Sequence, residues 1–414
     1  MGNMPEKIYR VDVCIVGAGP AGMILALLLA HQGIKVLVLE SHHDFEREYR
    51  GEVLMPRFIQ MMRQIGLLSY LEKYPHLKLK NFEFHYKDKI LANLDFSGIC
   101  PEAPCALWMP QTVMLKALHE KAATYPNFQL LFGVTVRDVI QEEGKIVGVM
   151  GARRAEQIEV RARVTVGSDG RVSAVRKAAE FKMEYEDYDF DVVWFTVKRH
   201  EHFENTVRAF FTPRRTYLVL PKYPDLFQCG ILVGKGEFPM MREQGIAAMQ
   251  DELLSAHPVL HDFARQLTDF EPFSVLQARV SYVQKWAKEG CLLIGDAAHT
   301  CSPAGAVGVS VAAATAIVAA DVMIKGFKRG DLSLATLSKV QMLRGSDVQR
   351  IQATQGAFTT AAFLKYPRLR PLALLSILTL ARTGIMPKFF RRIAVMDQPL
   401  PIDPAISLAN PPVV

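Results

Sequence analysis

The residues best suited to chemistry in this chain are glycines and acids at the ends of apolar runs. Gly17, Gly19 and Gly22 stand in V-C-I-V-G-A-G-P-A-G, Val13 to Gly22, and Glu40 closes a second apolar run, Ile34 to Leu39. Each glycine has a physical task. Gly17 permits a sharp turn, Gly19 lets backbone approach a pyrophosphate, and Gly22 allows helix and strand to pack closely. Free amides at the following helix start face the anion. An acid about 20 residues beyond the turn accepts hydrogen bonds from ribose hydroxyls. The pattern implies a dinucleotide with an unphosphorylated adenosine ribose, FAD or NAD rather than NADP.

Two further constellations follow later in the chain. Asp169 and Gly170, in G-S-D-G-R-V-S-A-V-R (Gly167 to Arg176), come at the end of the strand-like run Ile158 to Val166. That is where open α/β sheets place ligands. Asp296 and His299, in G-D-A-A-H, end the apolar strand Gly290 to Ile294. Pro303, Gly305 and Gly308 then punctuate a loop before a small-residue helix, Val309 to Ile324. Amides at such a helix start can stabilise negative charge on the reactive ring of a cofactor.

The elements that must position these residues read as strand, tight turn and helix from Val11 to Ala30, then a helix from Pro56 to Leu67 and short strands around Phe82 to Leu94. A helix from Thr112 to Ala123 has Thr112 as its cap. Gln129 to Val149 reads as a hairpin with its tip at Glu142 to Lys145. From Asp189 to about Val283 the alternation is that of an antiparallel sheet interrupted by one helix, Glu243 to Ser255, as expected for a second domain inserted into the first. The fold class is therefore α/β: a Rossmann-like nucleotide-binding domain (1–78, 105–182 and 284–330), an inserted, mostly antiparallel β-sheet substrate domain (79–104 and 183–283) and a C-terminal helical segment (331–414).

Composition narrows the function classes. The 414 residues are half apolar and 22% charged, a globular rather than disordered balance. The net charge of +7 suits anionic nucleotides and substrates, but no dense Lys/Arg run with interleaved aromatics points to nucleic acid. The six cysteines show no metal-like spacing; Cys100 and Cys105 flank a proline-rich loop and are read as a reduced pair. His42 and His43 read as a solvated loop rather than a metal pair. The start lacks a signal-peptide pattern, so a cytoplasmic location is expected. Leu364 to Met396 mixes apolar runs with basic residues. A helical layer packed on the core is the favoured reading, peripheral membrane contact the alternative.

G-A-G-P-A-G with Glu40, G-S-D-G-R-V-S-A-V-R and G-D-A-A-H-T-C-S-P-A-G-A-V-G, in this order, resemble the single-component FAD-dependent aromatic hydroxylases, the para-hydroxybenzoate hydroxylase-like monooxygenases. Arg50-Gly51-Glu52 and Gln111 fall where that family has cofactor-contacting residues. The resemblance implies FAD held at Gly17, Gly19, Gly22 and Glu40, with Arg50 and Gln111 steadying its pyrophosphate and ribityl region. It implies that Asp296 binds the pyrophosphate–ribityl segment and that the loop from Pro303 to Gly308 and Val309 lies beside the isoalloxazine ring. Asp169 and Gly170 match a motif associated with both FAD and the pyridine nucleotide, so NADPH or NADH is the expected transient reductant. Where the family has G-x-N, this chain reads Gly308-Val309-Ser310, and hydrogen bonding near the flavin is expected to differ.

The implied reaction is hydroxylation of an aromatic or polycyclic small molecule by NAD(P)H and O2 through a flavin C4a-hydroperoxide. Pro303 and His299 are the catalytic candidates nearest the flavin loop, although His299 falls in what the family uses as a structural turn. Tyr217, with Arg208 and Arg215, lies on the insert expected to roof the substrate and can orient a phenol or carboxylate. Trp108 and Trp194 are core or pocket wall. Two alternatives remain at this point: an FAD-dependent reductase or dehydrogenase, for example of isoprenoid double bonds, and a flavin-binding protein without turnover. The halogenase relatives are disfavoured because the chain has no W-x-W-x-I-P stretch.

Overall fold

A computed structural model describes residues 7–46, 52–87, 89–154, 156–199, 205–212, 214–362, 375, 379, 383 and 385–413. Its first sheet has a parallel core. Lys7–Val16 lies between Glu156–Gly167 and Val36–Glu40, Cys291–Leu293 pairs with the far side of Glu156–Gly167, and Phe128–Phe132 closes the other edge. The hairpin Val134–Glu142 and Lys145–Arg153 adds antiparallel strands. Strands buried on both faces read as continuous apolar runs, which is why Val13 to Val16 and Val36 to Leu39 are all in the core.

The helix Pro20–His31 covers this sheet with nearly every residue buried, and it packs on the helix Gly308–Arg329. By length and composition Gly308–Arg329 is apolar enough to cross a membrane, but 83% of its most apolar window is buried inside the protein. It is the central core helix.

The second sheet is mostly antiparallel. From one edge it runs His299–Thr300, Ser274–Val283, Met183–Lys198, Leu226–Gly234, Thr216–Lys222, Thr206–Phe211, Asn81–Tyr86 and Lys89–Asp95. Thr206–Phe211 pairs in parallel with Asn81–Tyr86, which joins the early strands to the later insert. The helices Phe238–Glu243, Gly245–Ala256 and His261–Gln266 cover one face of this sheet.

Several local expectations shift. The helix expected from Pro56 to Leu67 stops at Gln64, and a separate turn of helix spans Leu68–Leu71, because Gly66 takes the left-handed conformation at φ +69°. The helix expected from Thr112 starts instead at Gln111 behind Pro110, without a side-chain cap. All six cysteines are free.

The C-terminal part is a long helix, Leu334–Ala362, and a shorter one, Ile385–Ala394. Phe390, Ile393 and Ala394 of the latter are buried while Arg391 and Arg392 are exposed, and Arg391 Nη1 donates to the Ile99 carbonyl. The described part of this basic segment therefore packs on the core, and most of 363–384 lies outside the described residues.

Candidate active site

One cavity of about 950 Å³ runs from the first glycine turn to the antiparallel sheet. At its nucleotide end, Gly17 has φ +103°, and a Cβ there would meet the Ser168 carbonyl oxygen at 2.4 Å. A Cβ on Gly22 would meet the Gly17 oxygen at 2.0 Å. These two glycines are demanded by packing. Gly19 differs: a Cβ there meets nothing within 4 Å, and the residue borders the cavity. A side chain at Gly19 would fill space that a ligand's phosphates need. Gly19 also caps the helix Pro20–His31 without any side-chain hydrogen bond, so the first amides are left for an anion.

Glu40 is buried at the end of its strand and borders the cavity. Its Oε2 accepts from the Ala18 amide at 2.9 Å, and its Oε1 accepts from the His42 amide at 3.0 Å. The acid therefore holds the glycine turn in shape as well as facing the ligand space. Gln111 and Glu52 border the same region, and the Gln111 amide donates to Glu52 Oε1 at 3.4 Å. Arg50 lies outside the described residues.

Asp169 and Gly170 also border the cavity, but the Asp169 carboxylate is engaged elsewhere. It accepts from Ser173 Oγ at 2.5 Å and from the Ala174 and Val175 amides at 2.7 and 3.1 Å. Through these bonds it ties the turn to the helix Ala174–Ala178 while still lining the ligand space. From that helix, Arg176 Nη1 donates to the Ala297 carbonyl at 2.9 Å, joining the second constellation to the third.

Asp296 sits in the turn Gly295–Ala297 and faces the cavity. Among the described residues no group donates a hydrogen bond to its carboxylate, and burial raises its pKa to about 6 against a partial counter-effect from Arg171. Such a carboxylate can accept hydrogen bonds from a ligand's hydroxyls. Beyond it, Pro303, Gly305, Gly308 and Val309 border the cavity. Val307 caps the helix Gly308–Arg329 with no side-chain hydrogen bond, and a Cβ on Gly308 would meet nothing within 4 Å. The cavity thus has two bare helix starts, an unpartnered acid and an open-backed glycine turn, a set that fits FAD. Ser310 does not join them. Gly308, Val309 and Ala312 share the cavity face of the helix, whereas Ser310 is fully buried and its Oγ has no hydrogen-bond partner.

The opposite end is aromatic and aliphatic. Phe190, Val192 and Trp194 alternate along one strand, Leu218 and Leu220 along another, and Phe82, Phe84, Phe211 and Phe390 close the wall. Thr216 and Gln228 are the polar residues on these strands. Gly230 lies under Trp194: a Cβ there would meet the indole at 2.7 Å. Trp108, by contrast, is fully buried core.

Two catalytic candidates are corrected. His299 is 1% exposed, does not border the cavity, and shares a 2.8 Å hydrogen bond with Thr315 Oγ1. Burial lowers its pKa to about 3, so it stays neutral and structural. Tyr217 points to the other face of the sheet, where its hydroxyl donates to Glu252 Oε1 at 2.8 Å. Burial, and then the Glu252 charge, hold its pKa well above the usual tyrosine value. Arg215 bonds Glu252 at 2.5 Å and Glu237 at 2.7 Å, and Arg208 bonds Glu83 at 3.0 Å. None of the three reaches the cavity. Phe390 and Gln228 were not singled out from sequence. Period-two alternation was the available signal for Gln228, and nothing local marked Phe390.

The family model described as "FAD binding domain" matches residues 10–334. The chain is 32% identical over 401 residues to a 6-methylpretetramide 4-monooxygenase of Streptomyces rimosus, covering 96% of this chain and 95% of that protein. A probable NADH-specific resorcinol 4-hydroxylase of Rhodococcus jostii is 28% identical over 308 residues, 71% of this chain and 55% of the other. The solved structure of OxyS anhydrotetracycline hydroxylase from Streptomyces rimosus matches with a TM-score of 0.75 at 22% identity, over 95% of this chain and 77% of its own, a likeness of fold.

Proposed function

The chain belongs to the single-component FAD-dependent aromatic hydroxylases, and from that membership we propose that its substrate is a neutral, multi-ring aromatic molecule held against the apolar face of the antiparallel sheet. The protein is a flavoprotein monooxygenase that uses FAD and draws electrons from NADH or NADPH. This reaction class separates it from the double-bond reductase and from a flavin carrier without turnover.

The observation that carries the substrate class is the composition of the cavity's far wall. Phe82, Phe84, Phe190, Trp194, Phe211, Leu218 and Leu220 bring no charge; Arg279, which also borders the cavity, is held in an ion pair by Asp187, and Arg208 and Arg215 are bound in ion pairs on the opposite face. A carboxylate substrate would leave its charge unpaired in that wall. A flat, uncharged ring system gains apolar burial and ring contacts there. The activity carried in the name of the Streptomyces relative is in keeping with a multi-ring substrate.

The roles of this chain's residues follow. Amides at Gly19 and the start of the helix Pro20–His31 hold the pyrophosphate, and Glu40 and Gln111 border the adenosine and ribityl portions. Asp296 accepts from ribityl hydroxyls. The loop from Pro303 to Gly308, with Val309, faces the ring, and the amides of the second helix start stabilise charge on it. Bound FAD, once reduced, supplies the activated oxygen for transfer. The aromatic wall keeps water out and holds the substrate ring in line with the reacting atom. The division proposed is a cofactor unit (1–78, 105–182, 284–330), a substrate unit (79–104, 183–283) and a C-terminal helical unit from 331.

The test is a screen of neutral multi-ring phenols against single-ring benzoates, following NADH oxidation and product mass under isotopically labelled O2. Incorporation of one labelled oxygen into a multi-ring phenol is expected. Efficient turnover of benzoates alone would overturn the substrate class.

A further inference from the structure

Gln355, on the helix Leu334–Ala362, is completely buried, and its side-chain amide makes three hydrogen bonds to one segment of chain. Its Oε1 accepts from the Ser302 amide at 3.2 Å, while Nε2 donates to the carbonyls of Ser302 at 3.0 Å and Ala304 at 2.5 Å. Only one orientation of the amide meets this set, because the two carbonyls need a donor and the Ser302 amide needs an acceptor. Ser302, Pro303, Ala304, Gly305 and Ala306 all border the cavity.

That loop does not hold itself. Gly305 and Ala306 are consecutive left-handed residues, at φ +78° and +50°, and for alanine this conformation is strained. The strain persists only where surroundings over-determine it. The surroundings here come from the C-terminal helices: Gln355 on one side, and on the other Ile393, whose Cδ1 lies 2.7 Å from the position of a Cβ on Gly305. Ile393 is itself anchored, since its carbonyl accepts from buried Arg57 at 3.0 Å.

We propose that Gln355 is a positioning residue for the reaction: it sets the place of the 302–306 loop against the cofactor ring, so the C-terminal helical unit is part of the flavin site. The proposal rests on the reading that this loop faces the ring. Without the three hydrogen bonds, the strained turn relaxes and the ring-facing backbone loses its fixed distance. A residue needed only for stability would lower the melting temperature without altering the flavin.

Gln352 provides the internal control. It lies on the same helix and donates through Nε2 to the Ser281 and Thr300 carbonyls at 3.0 and 2.9 Å, outside the strained turn. The experiment compares Gln355→Met, Gln355→Glu and Gln352→Met. Hydrogen exchange of the 300–309 peptide is measured in apoprotein; FAD affinity, the visible spectrum and the midpoint potential are measured in holoprotein. Gln355→Glu keeps the shape and the acceptor, so it serves if the methionine variant does not fold.

Expected for both Gln355 variants are at least tenfold faster exchange in the loop, about tenfold weaker FAD binding and a shifted flavin spectrum. Gln352→Met should lower the melting temperature with the spectrum unchanged. Equal effects from the two positions would overturn the proposal. Gly308→Val separates this failure from that of the underlying reading, since it puts a side chain into open cavity space. If Gly308→Val changes FAD affinity and spectrum while the Gln355 variants do not, only the positioning role falls. If none of them alters the flavin, the loop does not face the ring and both fall.

Discussion

One face of the antiparallel sheet presents Trp194, Leu218, Leu220 and Leu232 to the cavity, while the other presents Tyr217, Val219 and Ile231 to the helices between Phe238 and Gln266. The residues that look equipped for catalysis are on the second face. There Glu252 gathers Arg215, Arg214 and the Tyr217 hydroxyl in a structural cluster. The first face is mostly apolar, with Thr216, Gln228, Gln277 and Arg279 as its polar cavity residues, and it is the face proposed to meet the substrate. On the proposed reading, the difference teaches that the sheet contributes mainly shape and dryness, while the polar chemistry stays at the two helix starts and Asp296.

The sharpest break of this comparison is Arg215→Met. Removing the buried guanidinium leaves Glu252 with only the exposed Arg214 and the Tyr217 hydroxyl, at a cost of roughly 3 kcal/mol, the low end for a broken buried pair. Chemical denaturation should record that loss, while KM for substrate in the folded fraction stays within about twofold. Leu218→Arg is the mirror experiment on the cavity face. It places a charge against the apolar substrate and should lower kcat/KM by about 100-fold, roughly 3 kcal/mol, with FAD affinity retained.

The same contrast between paired and unpaired groups separates two partly buried acids. Asp347 suffers burial that would raise its pKa, yet Arg57 and Arg344 hold it at about 2. Asp296 has no such partner and is raised from 3.8 to about 6. The signs are opposite. Stability from Asp347 is present above about pH 4 and is lost as pH falls through about 2. The Asp296 contribution to the apoprotein is present below about pH 4 and is lost as pH rises through about 6. Asp296→Asn should therefore stabilise the apoprotein by about 1–3 kcal/mol at pH 7, with the gain fading toward pH 4. Urea unfolding of apoprotein across this range checks it, and FAD titration should show weaker binding at the same position.

The smallest expected effect belongs to Tyr217→Phe. It deletes the hydroxyl that donates to Glu252 and should cost about 1–2 kcal/mol of stability, with the pH profile of turnover unchanged. A lost alkaline limb in that profile would return Tyr217 to the active site.

Much of the cofactor end was legible in the chain because its determinants are local. The spacing of Gly17, Gly19 and Gly22 after an apolar run specifies strand, turn and helix within a dozen residues, and Glu40 and Asp296 mark strand ends. Even there, the sequence could not assign the Asp169 carboxylate. Its partners Ser173, Ala174 and Val175 are equally local, but a turn-capping acid and a ligand-facing acid have the same letters. Gln355 was invisible for another reason: its partners lie about fifty positions earlier, and an isolated glutamine in a helix reads as surface.

By itself, then, the amino-acid order determined the nucleotide turn, the succession of parallel and antiparallel segments, and the binding of FAD through residues close in sequence. Tertiary structure alone decided which face of each antiparallel strand meets the cavity. Both faces are buried, one under helices and one over the cavity, so hydrophobic alternation carries no label for inside and outside. Because side chains alternate with a period of two, Tyr217 and Leu218 had to point opposite ways, and only the docking of the helices from Phe238 to Gln266 settled which of them faced the cavity.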